Sequence, residues 1–281
     1  MKGKTVIVYN PKNSMSAGVQ KEMTEWLNDR GFMVSTFDSH SCRTNLPVPE
    51  ADFAVSLGGD GTYLSCARLF AFSPVPILPV HLGTFGFITE VTHKEWKEAL
   101  ELWFDGKLEV EERLILDIQI YRNGEKVKKF IGINDAVVSG TGISKIIKLL
   151  LKLGGHNAGL LSGDGLIIST ATGSTAYSMA AGGPILVPPM RALVLTPICP
   201  FSLSWRPMVI PDTDSIVITV EKSQRAELLL TVDGQEIFKL QENDSVEITG
   251  YYGGAKVIKS DKRVFYEVVR TKLGWSGGPY A

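Results

Sequence analysis

The sequence predicts two domains of different class: an N-terminal α/β domain with a Rossmann-like parallel sheet over residues 1–106, and a C-terminal all-β domain over 107–260. Apolar runs alternate with helix-period segments as far as Phe104, the pattern of a parallel sheet with crossover helices. From Lys107 the texture becomes two-residue alternation, closed by hairpin dipeptides such as Asn123-Gly124. A length of 281 residues, 44% of them hydrophobic, suits two medium cores. Residues 261–281 form a C-terminal tail able to pack back on the first domain.

Thr5 to Tyr9 reads as a first buried strand, Ser16 to Arg30 as a helix stopped by Gly31, and Phe32 to Phe37 as the next strand. Ser39 to Glu50 is polar and contains prolines, so it reads as a loop. Asp52 to Leu57 is a third apolar strand, and Tyr63 to Phe72 carries apolar residues at helical spacing. Pro74, Pro76 and Pro79 bracket a short strand, Ile77 to Val80. Thr92 and Glu95 have capping-box spacing and open an amphipathic helix from His93 to Phe104.

In the second domain strands are expected at Leu114 to Tyr121, Phe130 to Ser139, Gly165 to Ser169, Ser215 to Val220, Glu227 to Val232 and Ser245 to Thr249. Asp233-Gly234 is a further turn, and few helices are expected. Lys145, Lys148 and Lys152 share one helical face among leucines and isoleucines, which admits a basic amphipathic helix able to touch a membrane. The strand-like neighbours favour instead a long strand with lysines at an edge. Gly274 to Ala281 reads as a loose tail.

The first domain is organised around Leu57-Gly58-Gly59-Asp60-Gly61-Thr62. A strand, a glycine turn and a helix in that order aim backbone NH groups at one spot, where the helix dipole also favours negative charge. Phosphate is the natural guest, and the glycines allow a positive φ and a close approach to the main chain. Asp60 is then the only side chain at the bottom of the cradle. A carboxylate facing phosphate repels it unless a metal ion intervenes or the acid holds a hydroxyl that attacks phosphorus, which makes Asp60 the candidate base. The plainer alternative is a turn with Asp60 as helix cap. Both this turn and the segment His81 to Phe87 fall at strand C-terminal ends, the edge where parallel sheets hold ligands.

Further clusters suit a nucleotide. Asn134-Asp135 sets an amide beside a carboxylate, able to donate and accept toward a sugar diol or an adenine edge. Ser162-Gly163-Asp164-Gly165 precedes Ser169 to Ser178, where seven hydroxyl residues surround Gly173 and Ala180-Ala181-Gly182-Gly183-Pro184 follows. Such a loop offers hydroxyl and main-chain donors to phosphate or ribose oxygens, or it is a Ser/Thr-rich surface turn. Asp233-Gly234-Gln235 reads more simply as a hairpin turn.

Composition excludes several classes. A formal net charge of -1 without long basic runs argues against a charge-built nucleic-acid groove. Cys42, Cys66 and Cys199 lie far apart, form no CxxC pair, and read as reduced core thiols. The first apolar run is too short for a signal peptide and no stretch approaches a membrane span, so a cytoplasmic protein is expected. There is no GxxxxGK[ST], no GxGxxG after the first strand and no HExxH. His40, His81, His93 and His156 have no metal-ligand spacing.

Gly58-Gly59-Asp60-Gly61-Thr62, Gly86-Phe87, Asn134-Asp135, Ser162 to Ile167, Thr172 to Ser178 with Gly182-Gly183-Pro184-Ile185, and Pro197-Ile198-Cys199-Pro200 occur in the order seen in NAD kinases. The sequence resembles that family over nearly its whole length. The glycine turn is shared with lipid kinases and phosphofructokinases, whereas the Thr172 to Ile185 region is much more specific. The resemblance implies a two-domain enzyme that moves the terminal phosphoryl group of ATP to the adenosine ribose 2′-hydroxyl of NAD, with Mg²⁺ on the triphosphate. It implies Asp60 as base with Gly59, Gly61 and Phe87 beside it, Asn134 and Asp135 on NAD, and Lys145 at a basic position. It also implies Asp164 toward the nicotinamide, and Thr175, Ala176, Tyr177, Ser178, Ala180 and Gln235 around the adenosine. A homodimer or homotetramer follows from the same likeness.

The chain departs from the commoner family pattern at Asp135, where Glu is usual, and at Ala171, Phe201 and His81, where Pro, His and Asn are frequent. None of these changes removes a proposed catalytic group. Two rival functions are a lipid kinase using the Lys145 to Leu153 stretch at a membrane, and a pyridine-nucleotide sensor without transfer activity.

Overall fold

The computed structural model describes residues 2–42, 47–83, 86–141, 146–222, 226–260 and 262–275. Its contacts define two compact units, Met1–Glu112 with Ala255–Ala281, and Arg113–Gly254.

The first unit contains β1 (Gly3–Tyr9), α1 (Ser14–Asp29), β2 (Phe32–Asp38), β3 (Phe53–Leu57), α2 (Asp60–Leu69), β4 (Ile77–His81), β5 (Val91–Thr92) and α3 (Trp96–Phe104). β2, β1, β3 and β4 lie side by side and every pair is parallel, with Tyr9 beside Leu57 and Leu57 beside Val80. That register puts the glycine turn after β3 and the segment after β4 at one sheet edge. β3 and β4 are buried along their whole length, as strands covered on both faces must be. Ile7, Val55, Leu57 and Leu78 pack with Met23, Leu27, Trp96 and Leu100 into one core. Each such fully buried side chain contributes about 1.5–3 kcal/mol. The Asn13 side chain caps α1 by accepting the Met15 amide at 3.0 Å, and Gly31, at φ 86°, turns the chain beyond it.

Three helix starts differ from the sequence reading, the first being α1, which begins at Ser14, two residues before the expected Ser16. α2 begins at Asp60, three residues before the expected Tyr63. α3 begins at Trp96 and not at His93, because Val91 and Thr92 first pair with Val80 and His81. Glu95 still accepts the Thr92 amide at 2.8 Å, the return bond of the expected capping box.

β6 (Val110–Arg122) leads into the second unit, followed by β7 (Glu125–Gly132), β8 (Asp135–Gly140), β9 (Ile147–Leu153), β10 (His156–Gly163) and β11 (Gly165–Thr170). A 3₁₀ turn (Thr172–Thr175) and the short α4 (Tyr177–Ala180) come next. β12 (Ala192–Ile198), β13 (Met208–Pro211), β14 (Ile216–Val220), β15 (Leu228–Val232), β16 (Glu236–Leu240) and β17 (Ser245–Ile258) complete it. β17 ends in the first unit beside β4, and α5 (Phe265–Leu273) follows there.

One sheet of the second unit has the order β13-β12-β11-β8-β15-β16, antiparallel throughout. In the other, β9 lies between β10 and β14, with β17 beside β14 and β6 between β17 and β7. Val138, Leu166, Leu193 and Leu230 of the first sheet and Leu116, Leu149, Ile216 and Ile248 of the second share one core. The lysine-bearing stretch is a strand, but an interior one: Ile147, Leu149 and Leu151 are buried while Lys148 and Lys152 alternate outward. The expected strand Phe130 to Ser139 is broken at Ile133 and Asn134, where the chain leaves one sheet and enters the other.

Candidate functional site

In the first unit the site forms around Asp60. Gly59 is the N-cap of α2 and makes no side-chain cap, and Asp60 is the first helical residue. Its carboxylate does not cap its own helix. It accepts the Phe87 amide at 2.9 Å and the Ile88 amide at 3.3 Å, so the acid of the glycine turn is clasped by the segment after β4. This removes the reading of Asp60 as a simple helix cap.

The glycines serve approach and not unusual torsion. None of Gly58, Gly59 and Gly61 has a positive φ, contrary to one role expected of them. A Cβ on Gly58 would stand 2.7 Å from the Thr62 Cβ, and the space around Gly59 is open to 4 Å. Gly59 and Gly61 are exposed on either side of the half-buried Asp60. The dipole of α2 favours an anion at this turn. Lys272, on α5, sits with its ammonium 5.6 Å from the centre of the Phe87 ring and brings a cation to the clasp. His81 ends β4, buried, and its pKa is lowered by burial first and by the Arg263 charge second.

In the second unit Asn134 and Asp135 occupy the switch between sheets. The Asp233 carboxylate accepts the amides of Ile133 at 3.0 Å, Asn134 at 2.7 Å and Asp135 at 3.1 Å, and the Asp233 amide donates to the Asp135 carbonyl at 3.0 Å. Asp233 and Gly234, at φ 51° and 64°, are the expected hairpin turn between β15 and β16. Thr170 donates its amide to the Asn134 carbonyl at 2.9 Å and its hydroxyl to the Ile133 carbonyl at 2.7 Å. Gly173 packs on the Asn134 backbone so closely that a Cβ there would meet the Asn134 Cα at 2.5 Å. The Asp135 side chain is buried, and its pKa is pushed up to about 7 by burial and by the charge of Asp233. The Asn134 amide oxygen is buried and has no partner among the described residues.

The hydroxyl-rich loop is turned inward. Ser174 donates to the Ala171 carbonyl at 2.7 Å and accepts the Leu186 amide at 2.9 Å, and the hydroxyls of Ser178 and Thr196 bond at 2.8 Å. Thr172 accepts from buried Arg113 at 3.4 Å, and Thr175 is 3.5 Å from the Thr172 carbonyl. Thr175 and Ser178 are therefore buried, whereas Tyr177 and Ala180 are exposed and Ala176 is half-buried. The surface-turn reading fails because these hydroxyls tie the loop to β12 and to the chain around Leu186. Gln235 follows the hairpin, exposed, with its amide on the Val232 carbonyl at 2.9 Å. Asp164 is exposed in the turn between β10 and β11. Gly165 pairs with Ser139 and Ser169 with Asp135, so Asp164 stands at the opposite end of β11 from the Asn134 cluster. Lys145 lies outside the described residues.

Sequence reasoning treated Asp233 only as a turn residue and passed over Lys272. Buried Cys42 and Cys66 fit the expected core thiols. Cys199 does not: it is exposed, at φ 43°, in the turn between Ile198 and Pro200.

An acid clasped in a glycine turn at a parallel-sheet edge, in a chain with a second, β-rich unit, suits a phosphotransferase that uses an alcohol acceptor. Residues 48–108 match the ATP-NAD kinase N-terminal domain and residues 133–260 the ATP-NAD kinase C-terminal domain. The chain belongs to the NAD kinase family, as its motifs led us to expect. It is 41% identical over 278 residues to the NAD kinase of Treponema denticola, covering 98% of this chain and 97% of that one. It is 38% identical over 278 residues to the NAD kinase of Geotalea daltonii, covering 95% and 96%. Among solved structures it resembles an NAD kinase from Archaeoglobus fulgidus in complex with ATP, with a TM-score of 0.75, 25% identity and coverage of 96% and 98%. It shares its fold with yeast NADH kinase complexed with NADH, with a TM-score of 0.86, 22% identity and coverage of 98% and 88%.

Proposed function

We propose that this chain transfers the terminal phosphoryl group of ATP to the 2′-hydroxyl of the adenosine ribose of NAD, giving NADP and ADP, with Asp60 as the base. The observation that carries the role of Asp60 is its carboxylate, held by the Phe87 and Ile88 amides and not spent on capping α2. Each carboxylate oxygen keeps a further acceptor site. The 2′-oxygen forms the new bond to phosphorus as the bond from phosphorus to the ADP oxygen breaks, and the hydroxyl proton passes to Asp60. An ordinary carboxylate does not ionise an alcohol outright, so proton acceptance accompanies transfer. In a loose transition state most of the catalysis is alignment and charge neutralisation.

Gly59, Gly61 and Phe87 border the acid. Asn134 and Asp135 bind the dinucleotide, with Thr175, Ala176, Tyr177, Ser178, Ala180 and Gln235 around the adenosine, Asp164 toward the nicotinamide, and Lys145 as an added cation. Among the described residues no three acid, histidine or cysteine side chains stand together as a metal cage. A divalent ion, Mg²⁺ expected, would be carried by the nucleotide and not by these side chains, and would supply charge neutralisation between the triphosphate and Asp60.

We assign the chain to the cytoplasm as a homodimer or homotetramer. No helix among the described residues is long and apolar enough to cross a membrane. Phe201 and Leu203, 79% and 82% exposed, supply apolar surface for self-association. Light scattering behind size-exclusion chromatography tests this; a monomer at assay concentration rejects it. The test of function is incubation with ATP, Mg²⁺ and NAD, read with an NADP-specific dehydrogenase. NADP formed with turnover supports the reading; none formed, with NAD bound, leaves a sensor.

A further inference from the structure

The Asp233 carboxylate and the chain at Ile133 to Asp135 meet across 98 to 100 residues of sequence. Three consecutive amides converge on this one side chain, with Ile133 reaching both of its oxygens at 3.0 Å. Charge-assisted bonds of this kind are roughly twice as strong as neutral ones. A hairpin turn alone does not ask for them, since Asn serves a turn with two positive φ angles as well as Asp does.

The same three residues are held from other sides. Thr170 takes the carbonyls of Ile133 and Asn134, and Gly173 closes on the Asn134 backbone. With amide, carbonyl and Cα fixed, the side chain is the only part of Asn134 left to serve a ligand, and its buried amide oxygen has no partner among the described residues. The charged neighbour of Asp135 is Asp233 from the β15–β16 hairpin, while β11 offers Ser169, which is neutral. Burial first and the charge of Asp233 second raise the Asp135 pKa to about 7, and in its protonated form the carboxyl can donate as well as accept.

We propose that Asp233 is a positioning residue for the dinucleotide: through the three backbone amides it sets the direction in which Asn134 and Asp135 meet the adenosine half of NAD. The inference rests on the kinase reading above and extends it to a residue that touches no reacting atom.

Asp233→Asn keeps the turn, the size and one acceptor oxygen, and sets an NH₂ group against the clustered amides. The expected result in steady-state kinetics is a KM for NAD raised about ten-fold, with KM for ATP and kcat each within about two-fold of the parent. Hydrogen exchange at Ile133, Asn134 and Asp135 should quicken in the same variant. Unchanged KM for NAD in a folded Asp233→Asn protein overturns the proposal and leaves Asp233 a turn residue. Should that variant unfold, Asp233→Glu, with the same charge one methylene further out, carries the same comparison with the same two outcomes. A parent protein that makes no NADP from ATP, Mg²⁺ and NAD overturns the kinase reading instead, a result distinct from either.

Discussion

Gly86 and Asp60 share one place in the structure: a Cβ atom built on Gly86 would fall on the Asp60 carboxylate. The glycine is there so that a side chain 26 positions earlier can lie against the main chain and reach the next two amides. Gly86→Ala therefore displaces the acid without touching its chemistry. Misplacement by about 1 Å costs on the order of a hundred-fold in turnover. NADP formation by Gly86→Ala should fall by about that factor while NAD affinity, measured by equilibrium dialysis, stays within a few-fold. Parent-like turnover would show that the clasp is irrelevant to catalysis.

Asp60→Asn asks a complementary question. The amide keeps the size but cannot take the proton, and its NH₂ group would oppose the amide of Phe87 or of Ile88. Turnover should drop by roughly two to four powers of ten, the range for loss of a general base, with NAD still bound. A loss below about ten-fold would remove Asp60 from proton transfer.

The parallel-sheet half was legible because strands covered on both faces read as unbroken apolar runs, and Leu57 leads directly into Asp60. The start of α2 was not, since Asp60, Gly61 and Thr62 are weak helix formers whose place depends on the room Gly58 leaves for Thr62. β12 escaped notice because Pro197 sits inside it, and β10 because Asn157 and Gly159 interrupt its pattern at a register shift. The break at Ile133 and Asn134 leaves no local signal: Ile131 and Ile133 continue the alternation, and the side chain that holds the break lies a hundred residues away. Composition found the hydroxyl loop but not its direction, which Ser174 and Ser178 take from partners at Leu186 and Thr196.

Asp135 makes stability depend on pH. Its carboxyl titrates near 7 in the fold against an ordinary 3.8, so between those values the folded chain binds a proton that the unfolded chain has released. The resulting stabilisation is fully present below about pH 4 and is lost as pH rises through about 7. Asp135→Asn, neutral at every pH, should not lose it. Thermal unfolding compared at pH 5 and pH 8 should show the parent losing about 5–10 °C relative to Asp135→Asn, since about two pH units at ~1.4 kcal/mol each make roughly 3 kcal/mol. Parallel curves would mean that Asp135 is not held protonated.

Two glycines should respond to alanine with opposite signs. Gly173 faces the backbone of Asn134, and a Cβ there would press on its Cα, carbonyl carbon and oxygen, none of which can rotate away. Such overpacking costs about 1–3 kcal/mol, and relief of the clash moves either Asn134 or the 3₁₀ turn. Gly18, in the exposed face of α1, has nothing within 4 Å of its would-be Cβ, and alanine at a compatible helical position stabilises by about 0.4–1 kcal/mol. Gly173→Ala should lower the melting temperature and raise KM for NAD more than KM for ATP, whereas Gly18→Ala should raise the melting temperature and leave both constants alone. Equal effects on the two KM values in Gly173→Ala would show that the loop matters to stability but not to the presentation of Asn134.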